Sequence, residues 1–246
     1  AMALLGLAFW RSGDLGDAYQ SYAAGMAHLQ RAGYIADAIG GALALADIRI
    51  TQGRLDQAME IYTEGLQRAA AHGAPLLRGT ADMLVGISEL RYERNDLFAA
   101  KQYLIRSEEQ GEHTGFPQNP YRWRVAKARI RMAEGDLDGA LVLLREAERR
   151  YVSDFFPNVR PIAAFRVRVW IAQGRWRDAL DWAREQGLSA HDNPTYLREF
   201  EHITLARALL ARAVSDHAGQ AIYEAIGLLD RLLDAAEAGG RMGSVV

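Results

Sequence analysis

Apolar positions recur with a helical beat along the whole chain, and the stretch from Ile162 to Ala183 shows the repeating unit most plainly. Ile162, Phe165, Val169, Trp170 and Ile171 form a broad stripe at helical spacing, with Arg166 and Arg168 set among them. Gln173-Gly174 interrupts the pattern, and glycine turns such a corner at low steric cost. Beyond it Trp176, Ala179, Leu180 and Ala183 share one face, the alanine at 179 being small enough to let the first helix come close. The pattern predicts two helices joined by a tight turn. A lone hairpin of this kind cannot bury both of its apolar faces, so it has to stack on copies of itself.

The copies emerge when the small residue of the second helix is aligned. Ala18, Ala58, Ala100, Ala140, Ala179 and Ala225 follow one another at steps of 40, 42, 40, 39 and 46 residues. Two-helix solenoids run from ~34 to ~47 residues per repeat. The turn residue recurs as Gly13, Gly53, Gly135 and Gly174, with Asn95 in the same slot of the third copy. Leu5-Gly6-x-x-Phe9 followed by Ala18 and Tyr22 resembles the tetratricopeptide pattern. The predicted fold is therefore all-α, a right-handed superhelical solenoid of about six two-helix, tetratricopeptide-like repeats over approximately 4–31, 35–71, 77–110, 121–150, 161–186 and 195–238. The six prolines, Pro75, Pro117, Pro120, Pro157, Pro161 and Pro194, all fall between units or at their first residues, where helices stop or start. A polar insert at 215–220 is expected to lengthen the last turn and so account for the step of 46.

Composition narrows the function classes. With 50% hydrophobic and 24% charged residues the chain can build a core and is not of disordered type. A net charge of −2 leaves no overall footprint for nucleic acid or anionic membrane. The absence of cysteine removes disulfides, thiolate catalysis and cysteine-based zinc sites together. No apolar run reaches the ~18 residues of a membrane span, and no signal peptide opens the chain, so a cytoplasmic location is expected. Met2 stands second and the tail from Gly239 reads as a linker, which predicts an excerpt from a longer array.

The runs YRWRVAKARIRMAEGDLDGALVLLREAERRY, NVRPIAAFRVRVWIAQGRWRDALDWAREQGLS and YLREFEHITLARALLA closely resemble the helical-repeat region of large ATP-dependent LuxR-type transcription regulators, the MalT-like family. ALLGLAFWRSGDLGDAYQSY is similar to an earlier part of the same region, so the resemblance covers nearly the whole chain. It implies a sensor and interaction superhelix lying between an ATP-binding module and a DNA-binding module. Neither flanking module is in this sequence, which has no G-x-x-x-x-G-K-[ST] loop. The implied role is reception of a small-molecule effector or a regulatory protein, with self-association as a further option. The resemblance gives no licence for catalysis, cofactor binding or direct nucleic-acid contact.

The strongest local chemical signal is basic. Residues 121–131 hold Arg122, Arg124, Lys127, Arg129 and Arg131 without an acid, and residues 160–177 hold Arg160, Arg166, Arg168, Arg175 and Arg177 without one. Counted back from the repeat alanines, Lys127 matches Arg166 and Arg129 matches Arg168, so these side chains are expected side by side. One reading is an anionic or sugar-like ligand held by guanidinium forks between aromatic walls from Tyr121, Trp123 and Trp170. The other is structural: Glu199 and Glu201, in YLREFEH with Tyr196, supply counter-charges to Arg166 or Arg168. Tyr121, Arg122, Arg129, Arg166, Arg168, Tyr196, Glu199 and Glu201 are the candidate binding residues. Aromatics in the linkers, Phe116, Tyr121, Tyr151, Phe155 and Phe156, fit either a docking rim or plugs between hairpins. The six histidines lack any metal-binding spacing, and Asp14, Asp17, Asp136 and Asp138 are placed to cap second helices.

Overall fold

The computed structural model describes residues 2–71, 77–111, 114–153, 156–217 and 219–244. Pro75 and Phe155 lie outside the described residues. Twelve α-helices follow one another among those residues: α1 (Met2–Ser12), α2 (Leu15–Arg31), α3 (Ile35–Thr51), α4 (Leu55–Ala71), α5 (Thr80–Glu93), α6 (Leu97–Gln110), α7 (Asn119–Ala133), α8 (Leu137–Arg149), α9 (Ile162–Ala172), α10 (Trp176–Glu185), α11 (Glu199–Asp216) and α12 (Gly219–Ala238). Short 3-10 turns at Tyr196–Arg198 and Met242–Ser244 complete the order. The fold is all-α, with the helices packed as stacked two-helix units of a tetratricopeptide-like solenoid.

The turn slot explains why the units form. Gly13, Gly53, Asn95, Gly135 and Gly174 all have positive φ, between 58° and 91°. At each, two backbone bonds close the first helix in the Schellman manner, as where Gly174 N–H donates to Ile171 O at 3.0 Å and Arg175 N–H to Trp170 O at 2.8 Å. The aligned alanines then sit with no exposed surface: Ala18, Ala58, Ala100, Ala140, Ala179 and Ala225 are each 0% accessible. Asp96 and Asp136 cap α6 and α8 by accepting from Ala99 N–H and Gly139 N–H at 3.0 and 2.9 Å. Asp14 does not cap α2; it accepts instead from the Ser12 hydroxyl at 2.8 Å.

The last unit departs from expectation. Ser215 and Asp216 still belong to α11, His217 takes the left-handed conformation at φ 52°, and α12 is under way at Gly219. The extra residues therefore lengthen helices rather than the turn.

The cores straddle unit boundaries, which is what makes stacking obligatory. Leu43 and Ala46 of α3 pack with Tyr62 of α4 and with Met83 and Ile87 of α5. Val125 and Ala128 of α7 pack with Leu144 of α8 and Phe165 of α9. Ala164 and Val167 of α9 join Leu205 and Leu209 of α11.

The two ends of the array also meet. Tyr196, just before α11, joins the cluster of Trp10, Leu15 and Tyr22, and its hydroxyl accepts from Trp10 Nε1 at 2.8 Å. The turn at Met242–Ser244 rests against the end of α3 and Gly53. The segment leading to α9 reaches inward as well, Phe156 standing edge-on to Trp10 at 5.5 Å between centroids.

Candidate functional site: a basic cavity on the inner face

The first helix of each unit faces inward from α3 to α11, and together they wall a cavity of about 780 Å³. Phe165 of α9 and Phe200 of α11, 4.8 Å apart and tilted, form one apolar wall, with Tyr92 and Tyr196 also on the lining. The charged lining consists of Arg129, Arg160, Arg168 and Arg207 with Glu93 and Glu199. A smaller neighbouring pocket of about 150 Å³ shares Glu93, Arg160 and Phe165 and reaches Asp47, Tyr121 and Arg122.

Arg122 and Arg129 are the members of the basic run that meet carboxylates from preceding units. Arg122 Nη2 meets Asp47 of α3 at 3.2 Å, and the same carboxylate accepts from the Tyr62 hydroxyl at 3.0 Å. Burial works against the Arg122 charge, yet Asp47, Tyr62 and Glu89 outweigh it and lift the pKa well above the ordinary guanidinium value. Arg129 meets Glu93 at 2.6 Å and Glu89 at 3.7 Å, both on α5, and lies over the Tyr92 ring at 4.3 Å. Burial again opposes its charge, and Glu93 and Glu89 again win.

The two glutamates of α11 expected to neutralise Arg166 or Arg168 of α9 do something else. Glu199, 4% exposed, pairs with Arg241 at 2.8 Å. Glu201 pairs with Arg198 one turn away at 3.0 Å. Arg166 finds its partner behind it, Glu148 of α8 at 2.6 Å. The reason is geometric: α8 precedes α9 in the stack and supplies its carboxylate from the outer layer, while Glu199 sits beside the turn that ends α12.

Arg168 is left with neutral partners. Its Nε donates to Thr204 Oγ1 at 3.0 Å, and its guanidinium lies 3.7 Å over the Phe200 ring. Burial, and then repulsion from Arg207, Arg129 and Arg160, pulls its pKa down to about 9, so the side chain remains charged at pH 7. Arg160 and Arg207 have no carboxylate within 4.0 Å among the described residues.

The structure thus brings Arg129, Arg168, Tyr196 and Glu199 to the main cavity, leaves Tyr121 and Arg122 in the adjoining pocket, and places Arg166 and Glu201 in neither. Lys127 stands over Trp123 at 4.3 Å instead of extending the patch. The expected aromatic walls are elsewhere too: Trp123 donates from Nε1 to Leu104 O at 3.0 Å, and Trp170 is flanked by Arg166 and Arg175. Arg207, Phe200 and Tyr92 were not singled out by sequence. Phe200 and Arg207 share the spacing of one helix face with Ile203, a signal that is present but indistinguishable from an ordinary core stripe.

Among the described residues no group of three His, Cys, Asp or Glu is placed to hold a metal, and no helix is long and apolar enough to cross a membrane. No curated protein matches the chain. A sequence family described as the MalT-like TPR region matches residues 1–246, and with stacked two-helix units along its described length the chain belongs to that family.

Proposed function

We propose that the chain is the signal-receiving part of a LuxR-type transcription regulator and that a small effector occupies the inner cavity. The observation that carries this reading is a cavity of about 780 Å³ walled by five successive inner helices. That volume falls within the ~300–1,000 Å³ of metabolite sites. A ligand there touches α5, α7, α9 and α11 at once, so its binding free energy favours one curvature of the array over others. Differential affinity of that kind is what a sensor needs.

A thermal-shift screen of the chain against sugars, organic acids, nucleotides and acyl compounds tests the reading, run beside Phe200→Ala. A compound that raises Tm in the parent but not in the variant supports it. A fold that no compound stabilises speaks against it.

A second reading, a protein-docking scaffold without a small ligand, is favoured by one specific surface. On α12 Ile222, Tyr223, Ile226, Leu229 and Leu233 are between 39% and 75% exposed, and Val214 of α11 is 81% exposed. Self-association through that face would make the mass in light scattering depend on concentration, and Tyr223→Glu would abolish the dependence.

A further inference from the structure

The cavity has a surplus of charge that the protein does not answer. Four guanidiniums line it against two carboxylates, an excess of two positive charges. Both carboxylates are already engaged, Glu93 by Arg129 at 2.6 Å and Glu199 by Arg241 at 2.8 Å. Glu93 is drawn below the ordinary glutamate pKa despite its burial, mainly by Arg129, with Arg160 and Arg168 acting from beyond ion-pair distance. Arg160, Arg168 and Arg207 therefore share one cavity with no ion-pair partner among the described residues. They come from the segment before α9, from α9 and from α11, so three separate pieces of chain converge there.

Like charges gathered in a partly dry site destabilise a fold unless something compensates them. Arg168 is also held in place. Its Nε–H donates to Thr204 Oγ1, and Thr204 is itself fixed by donating to Phe200 O at 2.8 Å. The ring of Phe200 supports the guanidinium plane at 3.7 Å. Neither Nη makes a hydrogen bond to a described residue, so the terminal edge of the fork is the part left over. A fixed guanidinium with its Nη edge unused matches the two-oxygen face of a carboxylate or a phosphate.

We infer that Arg160, Arg168 and Arg207 form an oxyanion subsite, and that the effector carries a compact carboxylate or phosphate group beside an apolar part that rests on Phe165 and Phe200. The inference rests on the reading of the cavity as the ligand site and narrows the ligand to anions. An anion there would also relieve the repulsion that pulls down the Arg168 pKa.

The test uses the whole chain and three salts at matched ionic strength: sodium chloride, inorganic phosphate and citrate. At about ten times its Kd, a bound anion should raise Tm by ~3 to 6 °C over chloride. The gain should vanish in Arg168→Gln and in Arg207→Gln, the latter at an exposed position where replacement should change Tm in chloride by no more than about 2 °C. Stabilisation by phosphate alone or by citrate alone identifies which group the site accepts. A gain that persists undiminished in both variants is a general salt effect and overturns the inference. Failure of both anions to exceed chloride overturns it as well. If a neutral compound then stabilises the chain in a Phe200-dependent way, the cavity remains a ligand site and only its anion preference is lost. If neither neutral nor anionic compounds act, both readings fall.

Discussion

Arg122 of α7 and Arg168 of α9 occupy the same inner surface in adjacent units and are treated in opposite ways. Arg122 is met by Asp47, which also holds the Tyr62 hydroxyl, and its charge is stabilised beyond that of a free guanidinium. Arg168 has a threonine and a phenyl ring for company, and three other arginines bear on it. The difference arises from one column of the repeat. Six residues before the turns at Gly53, Asn95, Gly135 and Gly174 stand Asp47, Glu89, Arg129 and Arg168. The first two are acids and the last two are bases, so the arginines of α7 find acids on the preceding units, whereas Arg168 finds Arg129. One half of the inner face is closed on itself, and the other half is open to an anion.

Removing Asp47 should have the largest effect on that contrast. Asp47→Ala leaves Arg122 without its carboxylate and the buried Tyr62 hydroxyl without an acceptor. A cost of ~3 kcal/mol is expected, at the low end of the range for breaking a buried pair because about a fifth of the Asp47 side chain is exposed. Urea unfolding measures it. Asp47→Leu combined with Arg122→Met should cost clearly less than Asp47→Ala alone, and equal costs would show that Arg122 does not depend on its partner.

Next in size is the contact that joins first and last units across the cavity. Tyr196→Phe removes the acceptor of the Trp10 indole N–H, and Trp10 is only 2% exposed. The expected loss is about 1 to 2 kcal/mol, the cost of a buried donor left without a partner. Trp10→Phe adds the cost of a smaller ring in the core, but the double variant should lose clearly less than the two single losses added together, since both changes delete the same bond.

A pH dependence follows from Asp82, a carboxylate paired by neutral donors only. It is 1% exposed and accepts from Phe116 N–H at 2.8 Å, and burial pushes its pKa up to about 6. The folded pKa lies above the unfolded one, so the folded state binds more protons between them, and stability through this group rises as pH falls through 6. From pH 7 to pH 5 the gain should be about 1 kcal/mol relative to Asp82→Asn, which lacks the titration. Denaturant midpoints of both chains at the two pH values decide it. A parallel response would mean that Asp82 is ionised in the fold throughout this range.

Much of this architecture is legible in the sequence because it is periodic. The turn residues and the alanines recur at near-equal steps, and each marks a backbone constraint that any copy has to satisfy: a left-handed corner, or a helix approach too close for a larger side chain. The site is read less well. Matching Arg129 with Arg168 finds the basic half of the column, but the pairing depends on the units before it, Asp47 being 75 residues from Arg122. Glu199 illustrates the same limit. It follows Arg168 by 31 positions, yet it pairs with Arg241, brought back by the turn after α12. Arg207 escapes any alignment because the longer helices of the last unit shift its register.

The smallest expected effect on stability is the most telling one. Arg168→Gln keeps a long polar side chain able to donate to Thr204 Oγ1 and to rest on Phe200, and it removes a charge that burial and three arginines disfavour. In chloride solution the variant should unfold within about 0.5 kcal/mol of the parent, because the lost cation–π contact with Phe200 is offset by relief of the repulsion among the arginines. Had Arg168 been an ion-pair partner like Arg122, the same change would leave a carboxylate stranded and cost several times more. Urea midpoints of Arg168→Gln and Arg122→Gln, measured side by side, therefore separate the two halves of the inner face: a large loss at 122 with almost none at 168 means that the charge at 168 is kept for something other than holding the fold together.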